Sequence, residues 1–252
     1  MIAIDLPLFF PQKNGESVIQ SMSAPPLNYP ELICKTVSMF AGYIVALFLP
    51  AGTLAWISGW AYVVIFLGFS IGLTAWLIRY DPALMAERLT GLRHPSRKEW
   101  DKIFIPFIFV AFFAWLAVMG LDAVRFRWSQ MPILLQMIGC ALLLTSFYIF
   151  YRTFRENTYL SPAVRIQKER EQKVVSTGPY RYVRHPMYAG FGLYVIGTAL
   201  MLGSWLGAAY GLVLIAAVAR RAIFEEETLQ RELPGYDDYM KSVRHRLIPG
   251  IW

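Results

Sequence analysis

The sequence predicts an all-α, polytopic integral membrane protein with about six transmembrane segments. Of its 252 residues, 56% are hydrophobic and only 16% are charged, and the mean hydropathy is +0.43. A soluble domain usually carries about a quarter charged residues. The apolar residues are also gathered into long runs rather than dispersed, which favours helices that cross a bilayer over one large soluble core.

Five apolar runs account for these segments, because about 20 apolar residues cross a bilayer as a helix. They lie at 32–50, 56–78, 103–121, 131–151 and 187–222. The last run is too long for a single crossing. Gly203 and Ser204 near its middle supply a break, so we expect a tight helical hairpin with two arms of about 17 residues.

The second arm of this hairpin is expected to pack closely and to continue beyond the apolar run. Gly203, Gly207 and Gly211 recur every four residues and leave one helix face smooth for a neighbour. The helix should end at Pro234-Gly235. A continuous helix places Arg221 and Glu225 about one turn apart on one face.

Lysine and arginine positions predict the orientation in the membrane. In a six-crossing arrangement only Arg125 and Arg127 fall on one side, and all other Lys and Arg residues fall on the opposite side. The positive-inside rule therefore places both termini and both large loops in the cytoplasm, as in a bacterial inner-membrane protein. Arginines of these loops, such as Arg88 and Arg165, are interpreted as topology signals.

Three regions follow from this pattern. Residues 1–31 form an N-terminal cytosolic segment, 32–151 four transmembrane helices, and 152–252 a region with the loop, the hairpin and a cytosolic tail. No basic segment leading to a cleavage site marks a signal peptide. The net charge of +7 is explained by topology, so no nucleic-acid partner is expected.

Several kinds of site are excluded by motif. Three histidines and two cysteines show no spacing typical of metal ligands, so no metal is expected. The chain also has no Walker A sequence and no strand–GxGxxG–helix unit. A nucleotide-like cofactor would have to bind within a helical scaffold.

Two charged clusters bracket the hairpin, and lipid gives no reason for their position. Before the hairpin, Gly178-Pro179 predicts a turn, and His185-Pro186 opens a helix whose N-terminus suits an anion. Arg184 and His185 add positive charge there. The alternative is an ordinary interfacial belt of Tyr, Arg and His.

After the hairpin, acidic residues at 225–227 follow directly on an apolar helix. An Arg221–Glu225 pair alone contributes only a few tenths of a kcal/mol, too little to explain the position by stability. A ligand that carries both charges would use both residues, with Glu225 facing an ammonium or ribose and Arg221 facing a carboxylate. The alternative is a solvated start to the tail.

Motifs from about residue 150 to the end, in unbroken order, resemble the isoprenylcysteine carboxyl methyltransferase family. They are the segment 174–190 with its Arg-His-Pro-Met-Tyr run, the apolar hairpin, Arg221-x-x-x-Glu225-Glu226, Tyr236-Asp-Asp-Tyr239 and Arg246-Leu-Ile-Pro249. The loop that begins at Asp81-Pro82 resembles bacterial members. The resemblance implies a membrane enzyme that uses S-adenosylmethionine and methylates the carboxylate of a prenylated cysteine.

The resemblance also implies roles for individual residues. Glu225 matches the acidic residue that holds the cofactor, and Arg221, favoured over Arg220 by its spacing to Glu225, matches the catalytic arginine at the substrate carboxylate. The other cofactor-binding positions are Gln167, Gln172, Lys173, Val174, Val175, Tyr180, His185, Pro186, Met187 and Tyr188. The cofactor pocket would be cytosolic and built from the 160–190 loop, the hairpin and the tail.

The residues fit this chemistry. A carboxylate already is a competent nucleophile toward a sulfonium methyl group, so positioning and water exclusion suffice and no general base is needed. Arg221 would hold both carboxylate oxygens. A lipophilic small molecule or prenylated acceptor would enter from the bilayer, and membrane lipids would be partners.

Three alternatives remain open at this point. One is an NADPH-dependent membrane reductase of the sterol-reductase type, and another is a non-catalytic lipid-binding scaffold. A third is a lipid or amine methyltransferase, which would need a base, for which only 225–227 or a tyrosine qualify.

Overall fold

A computed structural model describes residues 27–252 as an assembly of α-helices, and this part of the chain contains no strand. The predicted N-terminal segment 1–31 therefore lies mostly outside the described residues. The eight α-helices are α1 (Tyr29–Ala51), α2 (Ile57–Tyr80), α3 (Pro82–Thr90), α4 (Glu99–Gly120), α5 (Ile133–Glu156), α6 (Pro186–Leu202), α7 (Trp205–Glu232) and α8 (Tyr236–Ser242).

Five of the described helices are long and apolar enough to cross a membrane: α1, α2, α4 with the π-helical turn Leu121–Arg125, α5 and α7. The sixth predicted segment is α6, a shorter apolar helix of 17 residues. Large apolar side chains such as Leu49, Ile57, Ile103 and Ile133 are at least 70% exposed. An apolar surface of this extent fits lipid contact. The protein is an integral multi-pass membrane protein.

The predicted hairpin is confirmed. Gly203 ends α6 in the left-handed conformation (φ +83°), which glycine adopts without strain. Ser204 then caps α7, and its hydroxyl accepts a hydrogen bond from the Gly207 amide at 2.7 Å. From this cap, α7 continues without a break to Glu232, and Leu233 is its C-terminal cap.

Close helix packing through glycine is confirmed at two of the three predicted positions. A Cβ at Gly211 would lie 2.5 Å from the Val195 side chain, and one at Gly207 would collide with Met119. The Trp115 indole donates a hydrogen bond to the Gly207 carbonyl at 2.7 Å. Gly203 instead serves as the cap described above.

A second glycine contact was not predicted. Gly139 of α5 and Gly197 of α6 face each other, and a Cβ at Gly139 would lie 2.7 Å from the Gly197 carbonyl oxygen. These two helices therefore approach backbone to backbone. This crossing fixes where α6 begins relative to the end of α5, and so shapes the loop between them.

One hydrophobic core joins both sides of the predicted boundary at 151/152. Trp115 and Leu143 from the first region pack in it with Val195 and Leu214 from the second. A smaller core contains Tyr180, Leu233, Tyr236, Tyr239 and Val243. The smaller core binds the α5–α6 loop to the end of α7 and to α8, and a cavity lies next to it.

Candidate functional site

A cavity of about 320 Å³ lies between the α5–α6 loop, the start of α6, the last turns of α7 and α8. Its size is within the range of small-ligand pockets, at the lower end. Most of the residues that the sequence singled out line it: Gln172, Lys173, Val174, Val175, Tyr180, His185, Pro186, Met187, Tyr188, Arg221 and Glu225.

Gln167 does not line the cavity. Its side chain is 1% exposed, and its amide Nε2 donates to the Tyr159 carbonyl at 2.7 Å. The side-chain oxygen of Gln172 in turn accepts from the Gln167 backbone amide at 2.8 Å. Gln167 therefore shapes the loop from behind, which a match of loop sequences does not distinguish from a lining position.

Glu225 is the acidic group of the cavity. The Tyr188 hydroxyl donates a hydrogen bond to its Oε2 at 2.6 Å. Within residues 27–252 Glu225 forms no salt bridge, although its charge interacts with that of the Arg221 guanidinium. A carboxylate placed in this way suits a cationic group or a pair of hydroxyl donors.

Arg221 lines the same cavity one helical turn from Glu225 but pairs with another residue. Its Nε and Nη2 lie 3.1 and 3.0 Å from Oδ1 of Asp101, and Nη2 also donates to the Pro162 carbonyl at 2.8 Å. In the described chain its Nη1 has no hydrogen-bond partner. Arg221 therefore cannot form the expected bidentate hydrogen bond with a ligand carboxylate through Nε and Nη2, because Asp101 and Pro162 occupy that edge of the guanidinium.

The preceding arginine is directed elsewhere. Arg220 is exposed, and its guanidinium lies 4.6 Å from the centroid of the Phe224 ring. It does not line the cavity. The structure therefore agrees with the choice of Arg221 over Arg220.

Asp101 is a residue that the sequence analysis missed. It is fully buried in the first turn of α4, and its carboxylate accepts from Arg97 at 2.9 Å and from the Val164 amide at 3.2 Å as well as from Arg221. A buried carboxylate between two arginines holds both in place. The sequence signal was weak, because an acidic residue at a helix start is common.

Glu226, next to Glu225, faces away from the cavity into a cluster of basic residues. Its carboxylate accepts from Arg184 at 2.6 Å, from Arg246 at 2.7 Å, and lies 3.1 Å from Nε2 of His185. Arg184 and His185 were expected to add positive charge to an anion site at the start of α6. The positive charge expected there is partly offset, because the single Glu226 carboxylate is shared by Arg184, Arg246 and His185.

The same cluster fastens the tail to the start of α6. The Arg184 amide donates to the His245 carbonyl, and the His185 amide donates to the Arg246 carbonyl, both at 2.9 Å. The His185 ring still lines the cavity and stacks on Tyr188 with centroids 5.5 Å apart. The His185 ring therefore contributes a flat stacking surface to the cavity rather than a free positive charge.

Three tyrosines of the cavity are poor bases. Burial raises the pKa of the phenols of Tyr180, Tyr236 and Tyr239. The Tyr180 hydroxyl accepts from the Asn157 amide at 2.8 Å, and the Tyr239 hydroxyl donates to the Tyr180 carbonyl at 2.7 Å. These side chains are neutral hydrogen-bonding groups at physiological pH, which leaves Glu225 as the carboxyl group of this wall.

Two further arginines line the cavity, although the sequence gave them only a topological role. Arg165 is held by Glu87 at 2.6 Å and by Glu169 at 2.7 Å. Arg88 projects from α3 and donates to the Leu160 carbonyl at 3.1 Å. No group of three or more His, Cys, Asp or Glu side chains in residues 27–252 has a geometry that would hold a metal ion.

The part of the chain that is similar to known proteins contains most of the residues that line the cavity. Residues 133–234 match the family model of the phospholipid methyltransferases. A probable protein-S-isoprenylcysteine O-methyltransferase of Oryza sativa subsp. indica is 37% identical over 91 residues, which are 35% of this chain and 47% of that protein.

The yeasts provide similar relatives. The protein-S-isoprenylcysteine O-methyltransferase of Schizosaccharomyces pombe is 33% identical over 85 residues, covering 33% of this chain and 36% of the relative. Over this stretch the chain is similar to the protein-S-isoprenylcysteine O-methyltransferases. It spans less than half the length of these curated relatives in the alignments.

A solved structure of a family member is also similar. The eukaryotic intramembrane Ras methyltransferase ICMT aligns with a TM-score of 0.44 and 20% identity, covering 93% of this chain and 91% of that one. The family resemblance inferred from the motifs is confirmed by the sequence relatives.

Proposed function

We propose that this protein transfers a methyl group from S-adenosylmethionine to the carboxylate of a lipophilic, isoprenylcysteine-like acceptor. The observation that carries the proposal is the wall of the cavity formed by α7. Arg221 and Glu225 lie there one turn apart with opposite charges, and they do not pair with each other. Two opposite charges that do not pair with each other can bind a carboxylate acceptor and a cationic methyl donor side by side.

The lining residues fit S-adenosylmethionine. Glu225, with Tyr188 on its Oε2, would hold the cationic or hydroxyl-bearing part of the cofactor, and Tyr180 and His185 supply flat surfaces for its ring. The loop residues 172–175 would close over it. When bound, this cofactor supplies an electrophilic methyl group.

Arg221 would position the acceptor carboxylate. Its Nη1 is free to donate, while Asp101 and the Pro162 carbonyl fix the orientation of the guanidinium. A fixed donor removes part of the entropic cost of alignment. Since a carboxylate needs no deprotonation at neutral pH, this reaction needs no general base in the cavity.

Binding of cofactors gives the first test. Purified protein should bind S-adenosylhomocysteine by calorimetry, and NADPH should not compete. Binding of NADPH without binding of S-adenosylhomocysteine would favour the reductase alternative. Binding of neither would favour a lipid-binding scaffold.

Methyl transfer gives the second test. Incubation with isotope-labelled S-adenosylmethionine and an N-acylated S-prenylcysteine should yield a labelled ester that releases methanol in alkali. A chemically matched carboxamide should accept no label. Lipidomics of labelled membranes would then identify the natural acceptor.

A second candidate function follows from the match to the phospholipid methyltransferase model. An amine acceptor must lose a proton, and the carboxyl group of Glu225 lies in place to accept it, since the buried tyrosines stay neutral. Label in phosphatidylethanolamine that survives alkali, with none in the prenylcysteine, would support this alternative.

The proposed topology places the cavity in the cytoplasm, where S-adenosylmethionine is made. Cysteines introduced at Lys98 and Lys168 should react only from the cytoplasmic side, and a cysteine at Arg127 only from the other. Reaction of the Lys168 position from outside would contradict this orientation.

A further inference from the structure

Arg88 differs from the other arginines of the cavity in having no acidic partner. Its Nη1 donates to the Leu160 carbonyl at 3.1 Å, and its guanidinium lies 4.7 Å from the centroid of the Phe154 ring. No carboxylate in residues 27–252 forms an ion pair with it, and its Nε and Nη2 have no protein hydrogen-bond partner there.

The other arginines that line the cavity each contact a carboxylate. Arg165 pairs with Glu87 and Glu169, Arg184 pairs with Glu226, and Arg221 pairs with Asp101. Lys173 also lines the cavity but is exposed, so water solvates its charge. Arg88 is therefore the one cavity-lining arginine of the described chain that has no carboxylate partner.

Its surroundings make an unpaired charge costly. Arg88 is half-buried and adjoins an apolar cluster that contains Leu84, Leu89 and Phe154, with Leu160 and Met187 packed against it. Burial lowers the pKa of Arg88 to about 10, so the side chain is still a cation at neutral pH. A cation in such a place costs free energy unless an anion joins it.

Arg88 and Arg221 are attached to the same short segment. Arg88 donates to the carbonyl of Leu160, and Arg221 donates to the carbonyl of Pro162. Two residues of chain span at most about 7 Å, so the two anchoring carbonyls are close together. Between them, the Ser161 hydroxyl donates to Glu87 at 2.8 Å, which ties α3 to this segment.

We propose that Arg88 binds a carboxylate of a ligand in this cavity, close to Arg221. The inference rests on the proposed function and deepens it. The carboxylate belongs either to the acceptor or to the amino-acid part of the cofactor. Arg88 presents two nitrogens without protein partners, Nε and Nη2, which can hold a carboxylate as a fork. Arg221 offers only Nη1.

The experiment pairs each acid with an analogue that lacks the charge. Binding of S-adenosylhomocysteine is compared with binding of its decarboxylated analogue, and an N-acylated S-prenylcysteine is compared with its carboxamide. The proteins are wild type, Arg88→Gln, Arg88→Lys and the control Arg93→Gln. Arg93 is a nearby arginine, 71% exposed in its side chain and paired with Glu31, that does not line the cavity.

Wild type and Arg93→Gln should prefer the acid in both pairs. Arg88→Gln should lose at least tenfold of that preference in one pair only, which is about 1.4 kcal/mol. Loss in the prenylcysteine pair assigns Arg88 to the acceptor, and loss in the homocysteine pair assigns it to the cofactor. Either outcome supports a carboxylate site at Arg88.

A structural role predicts a different result. If Arg88 only packs against Phe154, Arg88→Gln lowers the melting temperature and keeps both acid preferences, which would overturn the inference. If Arg88→Gln does not fold, Arg88→Lys keeps the charge and should still lose several-fold of one preference, because its ammonium cannot form the fork. Unchanged preferences in Arg88→Lys would then overturn it.

The proposed function fails separately. A wild-type protein that binds none of the four ligands would overturn both statements. A wild type that binds and discriminates, while Arg88→Gln discriminates equally well, would overturn only the assignment of Arg88.

Discussion

Two faces of α7 carry glutamates that are adjacent in sequence but differ in every contact. Glu225 faces the cavity, accepts one hydrogen bond from Tyr188 and has no cationic partner in the described chain. Glu226 is 2% exposed and is bonded to Arg184, His185 and Arg246. One residue is available to a ligand, and the other holds the tail against the start of α6.

The geometry of the helix separates the two roles. Successive residues of an α-helix point about 100° apart, so Glu225 and Glu226 leave the helix in different directions, whereas Arg221 and Glu225 at i,i+4 share a face. The difference shows that adjacent charged residues at the end of an apolar helix can have separate roles, one at a ligand site and one in holding the tail to the start of α6. Substitutions on the two faces should therefore separate binding from stability.

The largest effect is expected on the structural face. Glu226→Gln leaves Arg184 and Arg246 without their buried charge partner, which typically costs about 3–5 kcal/mol. The melting temperature in detergent should fall strongly, and ligand binding should be lost with the fold. Glu227→Gln, an exposed neighbour, is the control and should melt like wild type. Equal melting temperatures of the two variants would show that Glu226 does not hold the tail to the start of α6.

Arg221→Lys should have the next largest effect, and on catalysis. Lysine keeps the charge but cannot hold Asp101 through two nitrogens while donating from a third. We expect kcat/KM to fall at least tenfold, which is about 1.4 kcal/mol in the barrier, with nearly unchanged affinity for S-adenosylhomocysteine.

The matched control for this variant is Arg220→Lys, whose guanidinium lies over Phe224 outside the cavity. Its kinetics should resemble wild type. An equal loss of cofactor affinity in Arg221→Lys and Glu225→Gln would assign Arg221 to the cofactor instead of the acceptor.

Glu225→Gln should act mainly on cofactor binding. Hydrogen bonds to a charged group contribute about 1.5–3 kcal/mol, so affinity for S-adenosylhomocysteine should fall roughly tenfold or more. The melting temperature without ligand should change little, since no ion pair is broken within the described chain. Calorimetry and thermal melting of the same sample measure the affinity and the stability separately. An unchanged affinity would show that Glu225 does not bind the cofactor.

Tyr188→Phe is expected to have the smallest effect. It removes the hydroxyl that donates to Glu225 at 2.6 Å and leaves the ring against His185. Because this hydroxyl orients Glu225 and the carboxylate itself remains, cofactor affinity should fall only several-fold. Tyr182→Phe, on an exposed ring, is the control. A loss as large as that of Glu225→Gln would show that Tyr188 binds ligand directly.

The sequence by itself determined the helical class, the apolar segments and the hairpin at Gly203-Ser204. These features depend on local composition and on the length of apolar runs, which a bilayer requires whatever the tertiary packing. The i,i+4 spacing also fixed that Arg221 and Glu225 share a helix face. Most lining residues followed from a motif that is nearly continuous in sequence.

Only the tertiary structure decided the partners of these charges. Asp101 meets Arg221 across 120 positions, and Arg184 meets Glu226 across 42. Helical periodicity predicts the direction in which a side chain points, but it does not predict which residue of another element packs against that side chain. For the same reason, the sequence did not show that Gln167 lies behind the cavity, that Glu226 holds the tail, or that Arg88 lines the site. The position of a buried charge depends on which opposite charge the fold brings within reach.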